Sequence, residues 1–162
     1  MFSAVALAKQ GFTGFVTIEQ LQQTHCAMVP KAPGIYVVCH DFDAPQFLEV
    51  GTGGHFKSRD PNVPIPTLEQ NWVSSADIVY IGKAGGPGLK SNLRGRLHQY
   101  VRFGAGSNTA GHRGGCYIWQ LRNSGALTVC WKSEDEPRAA EAAMIAAFVA
   151  QHGQRPFANR AN

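Results

Sequence analysis

Glycine and proline punctuate this chain so often that no regular element can run far without meeting one: 18 Gly and 9 Pro fall among 162 residues. That spacing excludes a coiled coil or a simple helical bundle and points to short strands and helices joined by many turns. With 44% hydrophobic and 16% charged residues the chain is also too apolar for disorder. A domain of this length hides roughly two-thirds of its unfolded surface, so a single domain over 1–162 is expected. No run of about 18 uncharged apolar residues occurs, and the opening MFSAVALAKQGF has no basic leader. The expectation is therefore no membrane span, no export signal and a cytoplasmic location.

Between the breakers, local patterns name the elements. Thr17 with Gln20 forms a possible capping box opening a short helix to Gln23. Pro33 and Gly34 release the β-rich run Gly34 to Cys39, GIYVVC, with which Gln46 to Val50 is expected to pair. Gly51 to Pro66 is too rich in Gly and Pro for a regular element, and Leu68 to Trp72 reads as a brief helix. Asp77 to Gly82, DIVYIG, is a second strand. Ser91 or Asn92 can cap a helix whose Leu93, Leu97, Tyr100 and Val101 form a core-facing stripe, ended by Gly104. Cys116 to Leu121 and Ala126 to Trp131 read as a hairpin around RNSG, and Pro137 starts an alanine-rich helix that stops at Gly153.

Charge is distributed unevenly. Net charge is +4, yet from Ile78 to Ser133 there is no Asp or Glu, while Lys83, Lys90, Arg94, Arg96, Arg102, Arg113, Arg122 and Lys132 supply eight positive charges. A purely cationic middle third, with Tyr80, Tyr100, His98 and His112 among the bases, suits a polyanion, and nucleic acid is the leading partner. The alternative is that these charges scatter over a solvated surface. Cys26, Cys39, Cys116 and Cys130 lie far apart with no C-x-x-C pair, and the six histidines form no metal-ligand spacing. Reduced, buried thiols are the simpler reading. GTGGHFKS at Gly51 to Ser58 is not a P-loop, since Phe56 stands where Gly must precede the Lys, and Gly82 to Gly88 lacks a dinucleotide fingerprint. Trp72, Phe103 and Trp119 could stack on single-stranded bases but are core residues by default.

Some residues sit oddly in these patterns. At 100° per residue Glu141 points the same way as Ile145 and Phe148, in the apolar stripe of the last helix. A carboxylate there needs a cation, whether Arg, Lys or a metal ion, or else leaves the core near the helix start. Arg96 lies about 85° from the centre of its helix stripe, at the margin, where it can snorkel into a cleft or be ordinary surface charge. Tyr36 and Tyr80 interrupt aliphatic strands; alternation places Tyr36 with Val38, opposite Ile35 and Val37, and Tyr80 with Ile78 and Gly82. Two packing tyrosines would read the same way.

Taken in order, PGIYVV at Pro33 to Val38, VYIGKAG at Val79 to Gly85, LRGRLHQY at Leu93 to Tyr100, a glutamate on a late helix and RPFAN at Arg155 to Asn159 resemble the GIY-YIG nuclease family. The likeness covers 33–159, and YIGKA with LRGRLHQY is similar to the variant in the N-terminal nuclease domain of the bacterial repair protein UvrC. The resemblance implies an α+β fold, a small mainly antiparallel sheet flanked by helices, from which this chain departs by a long insertion, 51–73, between the two motif strands. It implies active-site roles for Tyr36, Tyr80, Arg96, Glu141 and Asn159, with Lys83 and Tyr100 flanking them. In this chain 43 residues separate Tyr36 from Tyr80, where the family has a short turn, and the gap from Glu141 to Asn159 is long.

The activity so implied is metal-dependent hydrolysis of phosphodiester bonds in DNA, RNA not being excluded, with Glu141 holding one Mg²⁺ or Mn²⁺. Arg96 would clamp the phosphate, and Tyr36 or Tyr80 would act as base or water-orienting group. Lys57, Arg59, Lys90, Arg94, Arg102 and Arg113 are expected along the nucleic acid. Two other readings stand beside this one: a binding module that keeps the basic face without cutting, and a structural or interaction domain in which Glu141 and Arg96 merely pair. Oligomeric state is not legible.

Overall fold

The computed structural model describes residues 3–108 and 114–160. Five helices and four strands run, in chain order, α1 (Ala4–Lys9), β1 (Thr13–Thr17), α2 (Ile18–Gln23), β2 (Gly34–Cys39), α3 (Ile65–Asn71), β3 (Ile78–Ala84), α4 (Leu93–Gly104), β4 (Thr128–Ser133) and α5 (Pro137–His152) among the described residues. The architecture is α+β. The sheet has the order β1-β4-β2-β3, every neighbouring pair antiparallel.

Local chemistry explains where the helices begin and end. Thr17 accepts from the Gln20 backbone N–H while the Gln20 side chain accepts from that of Thr17, which closes the capping box of α2. Asn92 caps α4 by accepting from the Gly95 N–H at 2.9 Å. At α5, Pro137 occupies the first turn, where its missing N–H costs nothing, and Gly153 closes the helix with φ 78°, a conformation other residues resist.

β2 is buried on both faces, which is why it reads as an uninterrupted apolar run. Alternation sends Tyr36 and Val38 into a large core with Ile18 and Leu21 of α2 and Leu93, Leu97, Tyr100 and Val101 of α4. Ile35 and Val37 go to a second core with Leu7 of α1 and Met144 and Phe148 of α5. The sheet is thus sandwiched between α2/α4 and α1/α5. No helix among the described residues is long and apolar enough to cross a membrane.

Several sequence expectations are corrected here. Gln46 to Val50 does not pair with β2; it forms a single bridge, Phe47 to Leu121, because both edges of β2 are already taken by β3 and β4. The hairpin around RNSG is absent: Cys116–Gln120 is a 3-10 helix, and β4 pairs instead with β1 and β2. β1, whose Gly14 backbone passes against the Trp131 ring, carries no apolar alternation that would announce it. A bulge between Val38 and Cys39 reverses the face of Ile78, which packs with Ile81 on the α5 side while Tyr80 lies on the α4 side. The brief helix expected from Leu68 starts earlier, at Ile65.

Candidate functional site

Tyr36 and Gly82 are directly opposite across the β2–β3 pair, and the Tyr36 ring lies over the glycine. Any side chain at position 82 would occupy the space of the phenol. The ring therefore reaches across β3 and meets Tyr80, with centroids 6.0 Å apart and Tyr36 donating a hydrogen bond to the Tyr80 oxygen. Tyr100, one turn beyond Arg96 on α4, completes the cluster at 6.2 Å from Tyr36 and 5.5 Å from Tyr80. Its hydroxyl donates to the Gly115 carbonyl at 2.7 Å. Tyr36, Tyr80 and Tyr100 are all buried.

Burial dominates the ionisation of these phenols, because a phenolate loses its hydration in the core. Tyr80 is pushed up to about 12, first by burial and then by the Glu141 carboxylate; the hydrogen bond from Tyr36 and the Arg96 guanidinium pull the other way. Tyr36 is also raised well above the ordinary phenol value, by burial, by Tyr80 and by donating a hydrogen bond, with Arg96 again opposing and Glu141 adding to the rise. Tyr100 is also raised, by burial, by the other two tyrosines and by Cys116. The acid of α5 and the guanidinium of α4 therefore act on the same two phenols from opposite faces of the sheet.

Glu141 is mostly shielded, its side chain 19% exposed, and its Oε1 accepts from Lys83 Nζ at 3.2 Å. Lys83 reaches it from β3, on the face covered by α5. Arg96 is half-buried and its guanidinium donates to Gln99 Oε1 at 3.0 Å. Among the described residues no three His, Cys, Asp or Glu side chains converge on one point. A Mg²⁺-like ion often takes only one or two carboxylates, with waters and substrate phosphates filling its shell, so the Glu141 oxygens fit such an ion provided Lys83 yields one of them.

The other residues singled out from the sequence are placed elsewhere. The Asn159 side chain makes a two-point tie to the outer edge of β3, accepting from the Ile81 N–H at 2.9 Å and donating to its C=O at 2.8 Å. Arg94 holds the carbonyls of Val29 at 2.7 Å and Ala27 at 3.0 Å, bracing the loop before β2. Lys90 is exposed between β3 and α4, and Arg102 is exposed in the last turn of α4. Lys57 and Arg59 share a turn of the insertion. Arg113 lies outside the described residues. Phe103 and Trp119 are buried, while Trp72 packs between His40 and Phe157.

Gln120 escaped the sequence reading altogether. It is 1% exposed, and its amide nitrogen donates to the carbonyls of Leu48 (3.0 Å), Glu49 (3.4 Å) and Val63 (2.9 Å) while its oxygen accepts from the Val63 N–H at 2.9 Å. One side chain thus ties the residues just before the insertion to its middle. The loop is further seated by backbone approach, Thr52 N–H to Trp119 C=O at 3.0 Å and Gly54 N–H to Phe103 C=O at 2.8 Å. A lone Gln between Trp119 and Leu121 carries no sequence signal for this role, since its partners are backbone atoms remote in the chain.

Searches of family models, of curated proteins and of solved structures return no match to this chain.

Proposed function

We propose that the chain is a GIY-YIG-type, metal-dependent endonuclease that hydrolyses phosphodiester bonds in DNA, acting as a soluble cytoplasmic protein. What supports this reading is the packing of Tyr36 against Tyr80 and Tyr100, with Arg96 one turn before Tyr100 on α4 and Glu141 of α5 paired to Lys83 of the strand that carries Tyr80. Hydrolysis requires that a water oxygen bond to phosphorus, that one P–O bond break, and that protons pass from the water and to the leaving oxygen. Arg96 would bind the non-bridging oxygens and offset their charge. Tyr80, which burial keeps a neutral phenol and whose oxygen accepts a hydrogen bond from Tyr36, is placed to orient the attacking water, and Tyr36 holds it there; the proton of that water would pass to solvent. Glu141 would hold a divalent ion, which when bound supplies charge neutralisation at the phosphoryl group. Lys83 would then turn from Glu141 toward the phosphate.

The Lys83–Glu141 contact at 3.2 Å favours a second reading, a non-cleaving nucleic-acid-binding module in which the acid is satisfied by the lysine alone. The two readings part in a nicking assay on supercoiled plasmid with Mg²⁺ or Mn²⁺. The nuclease requires metal-dependent conversion to the open circle, lost in both Glu141→Gln and Arg96→Ala. Retention of DNA without any product, equal in wild type and Glu141→Gln, establishes the module instead. A DNA and an RNA strand of the same sequence, compared in parallel, identify the nucleic acid cut.

A further inference from the structure

Between the turn of the insertion and the end of α4 lies a cavity of about 400 Å³, a size that takes a ligand on the scale of one nucleotide. Phe56 and Phe103 supply aromatic walls and Lys57, Arg59 and Arg160 supply positive charge. Lys57 Nζ sits 5.4 Å from the Phe56 ring centre and the Arg160 guanidinium 5.6 Å from that of Tyr117. Asp60 is the acid among the described lining residues, and one of its oxygens is engaged by the Asn62 backbone N–H at 2.9 Å and side-chain amide at 2.8 Å. Cys116 also lines the cavity, and its chain neighbour Gly115 accepts from the Tyr100 hydroxyl at 2.7 Å, so the cavity abuts the tyrosine cluster. The turn is well anchored despite its left-handed residues Lys57 (φ 54°) and Ser58 (φ 59°), because Gln120 and the Gly54 and Thr52 backbone bonds fix the chain that leads into it.

We propose that this cavity receives one unpaired nucleotide of a nucleic-acid strand, its base against Phe56 above the Phe103 floor and its phosphates on Lys57 and Arg59. A duplex tracked only through its backbone has no use for an enclosed aromatic wall. A base freed from its pair offers a π-face, and the strand beside it offers the anions that the cations match. The inference rests on the nuclease reading only for its consequence, that the strand is cut next to an unpaired position.

Fluorescence anisotropy in EDTA tests it without any cleavage. The probes are a labelled 12-nucleotide oligothymidylate, a blunt-ended 12-base-pair duplex without unpaired positions, and thymidine monophosphate as competitor. Wild type is expected to prefer the single strand about tenfold. Phe56→Leu, which keeps the bulk and removes the ring, weakens single-strand binding about fivefold with an unchanged salt slope. Arg59→Gln lowers the slope of log affinity against log salt by about 0.7, the share of one phosphate contact. Asp60→Asn, which preserves the acceptor for Asn62, tightens binding. Arg59 and Asp60 are exposed, so these two variants keep the test decisive if Phe56→Leu fails to fold.

Single-strand binding equal to wild type in Arg59→Gln and Asp60→Asn overturns the proposal, as does equal weakening on the blunt duplex. Thymidine monophosphate binding as tightly as the strand overturns it in favour of a free nucleotide. Plasmid nicking with normal single-strand binding by these variants removes the cavity and leaves the nuclease; the expected binding pattern in a protein that never nicks does the reverse.

Discussion

Replacing Gly82 by alanine isolates the contact on which the candidate site is built. The Gly82 backbone is not in the left-handed region, so alanine meets no conformational objection, and the fewer unfolded conformations of alanine alone would favour the folded state by about 0.5–1 kcal/mol. Against this, the new Cβ lies 2.6 Å from the Tyr36 hydroxyl and 2.7 Å from a second atom of its ring, far inside contact distance, and Tyr36 is 1% exposed with nowhere to retreat. Overpacking of that kind costs about 1–3 kcal/mol, and loss of the Tyr36–Tyr80 hydrogen bond about 1 more. The net expectation is a destabilisation of about 1.5–3 kcal/mol, seen in urea unfolding as a lower midpoint with an unchanged slope. Tyr36→Leu removes the ring that the methyl strikes, so in the double variant Gly82→Ala should cost little or become favourable. A coupling energy of about 1 kcal/mol or more between the two changes is therefore required. Additivity within about 0.5 kcal/mol would refute the claim that Gly82 exists to seat this phenol.

Further expectations follow from neighbouring contacts. Gln120→Leu leaves the Val63 N–H and three carbonyls without their partner; a loss of about 2–4 kcal/mol and rapid tryptic cleavage at Lys57 or Arg59 are expected, and an unchanged digestion pattern would contradict the clamp. Asn159→Ala frees the edge of β3 at Ile81, so amide exchange there should accelerate severalfold, whereas Asn159→Asp, which places a carboxylate against the Ile81 carbonyl, should destabilise more than alanine; equal exchange in all three proteins argues against the tie. Burial raises Tyr36, Tyr80 and Tyr100 above the ordinary phenol range, so the unfolded chain releases these protons first: stability contributed by the neutral phenols is whole below about pH 10 and is lost as pH rises toward the folded value, about 12 for Tyr80. Phenolate absorbance at 295 nm from these three should appear together with unfolding, and their smooth ionisation near pH 10 in the folded protein would show the cluster to be solvated.

Elements whose information is local were legible beforehand. The capping box at Thr17, the Asn92 cap, the Pro137 to Gly153 helix and the apolar run of β2 all stand where residue chemistry places them. The placement of Glu141 on an apolar stripe also foretold a partnered acid, which the structure supplies as Lys83. The cationic middle third fared differently, because linear sequence does not show what folds back on it. Lys83 meets Glu141 and Arg94 is taken up by the carbonyls of Val29 and Ala27, all remote in the chain.

What the sequence alone determined is the set of segments bounded by glycine and proline, since turn and cap chemistry acts within a few residues, together with the motif-bearing side chains that prompt a nuclease reading. Only the tertiary structure decided which partners those segments take. β4 pairs with β1 and β2 rather than with its neighbour in sequence, a bulge turns Ile78 away from Tyr80, and Gln120 closes the insertion. Pairing and register depend on competition among remote backbone donors and acceptors, and on which apolar faces can be buried together. Those quantities exist only once the whole chain is folded.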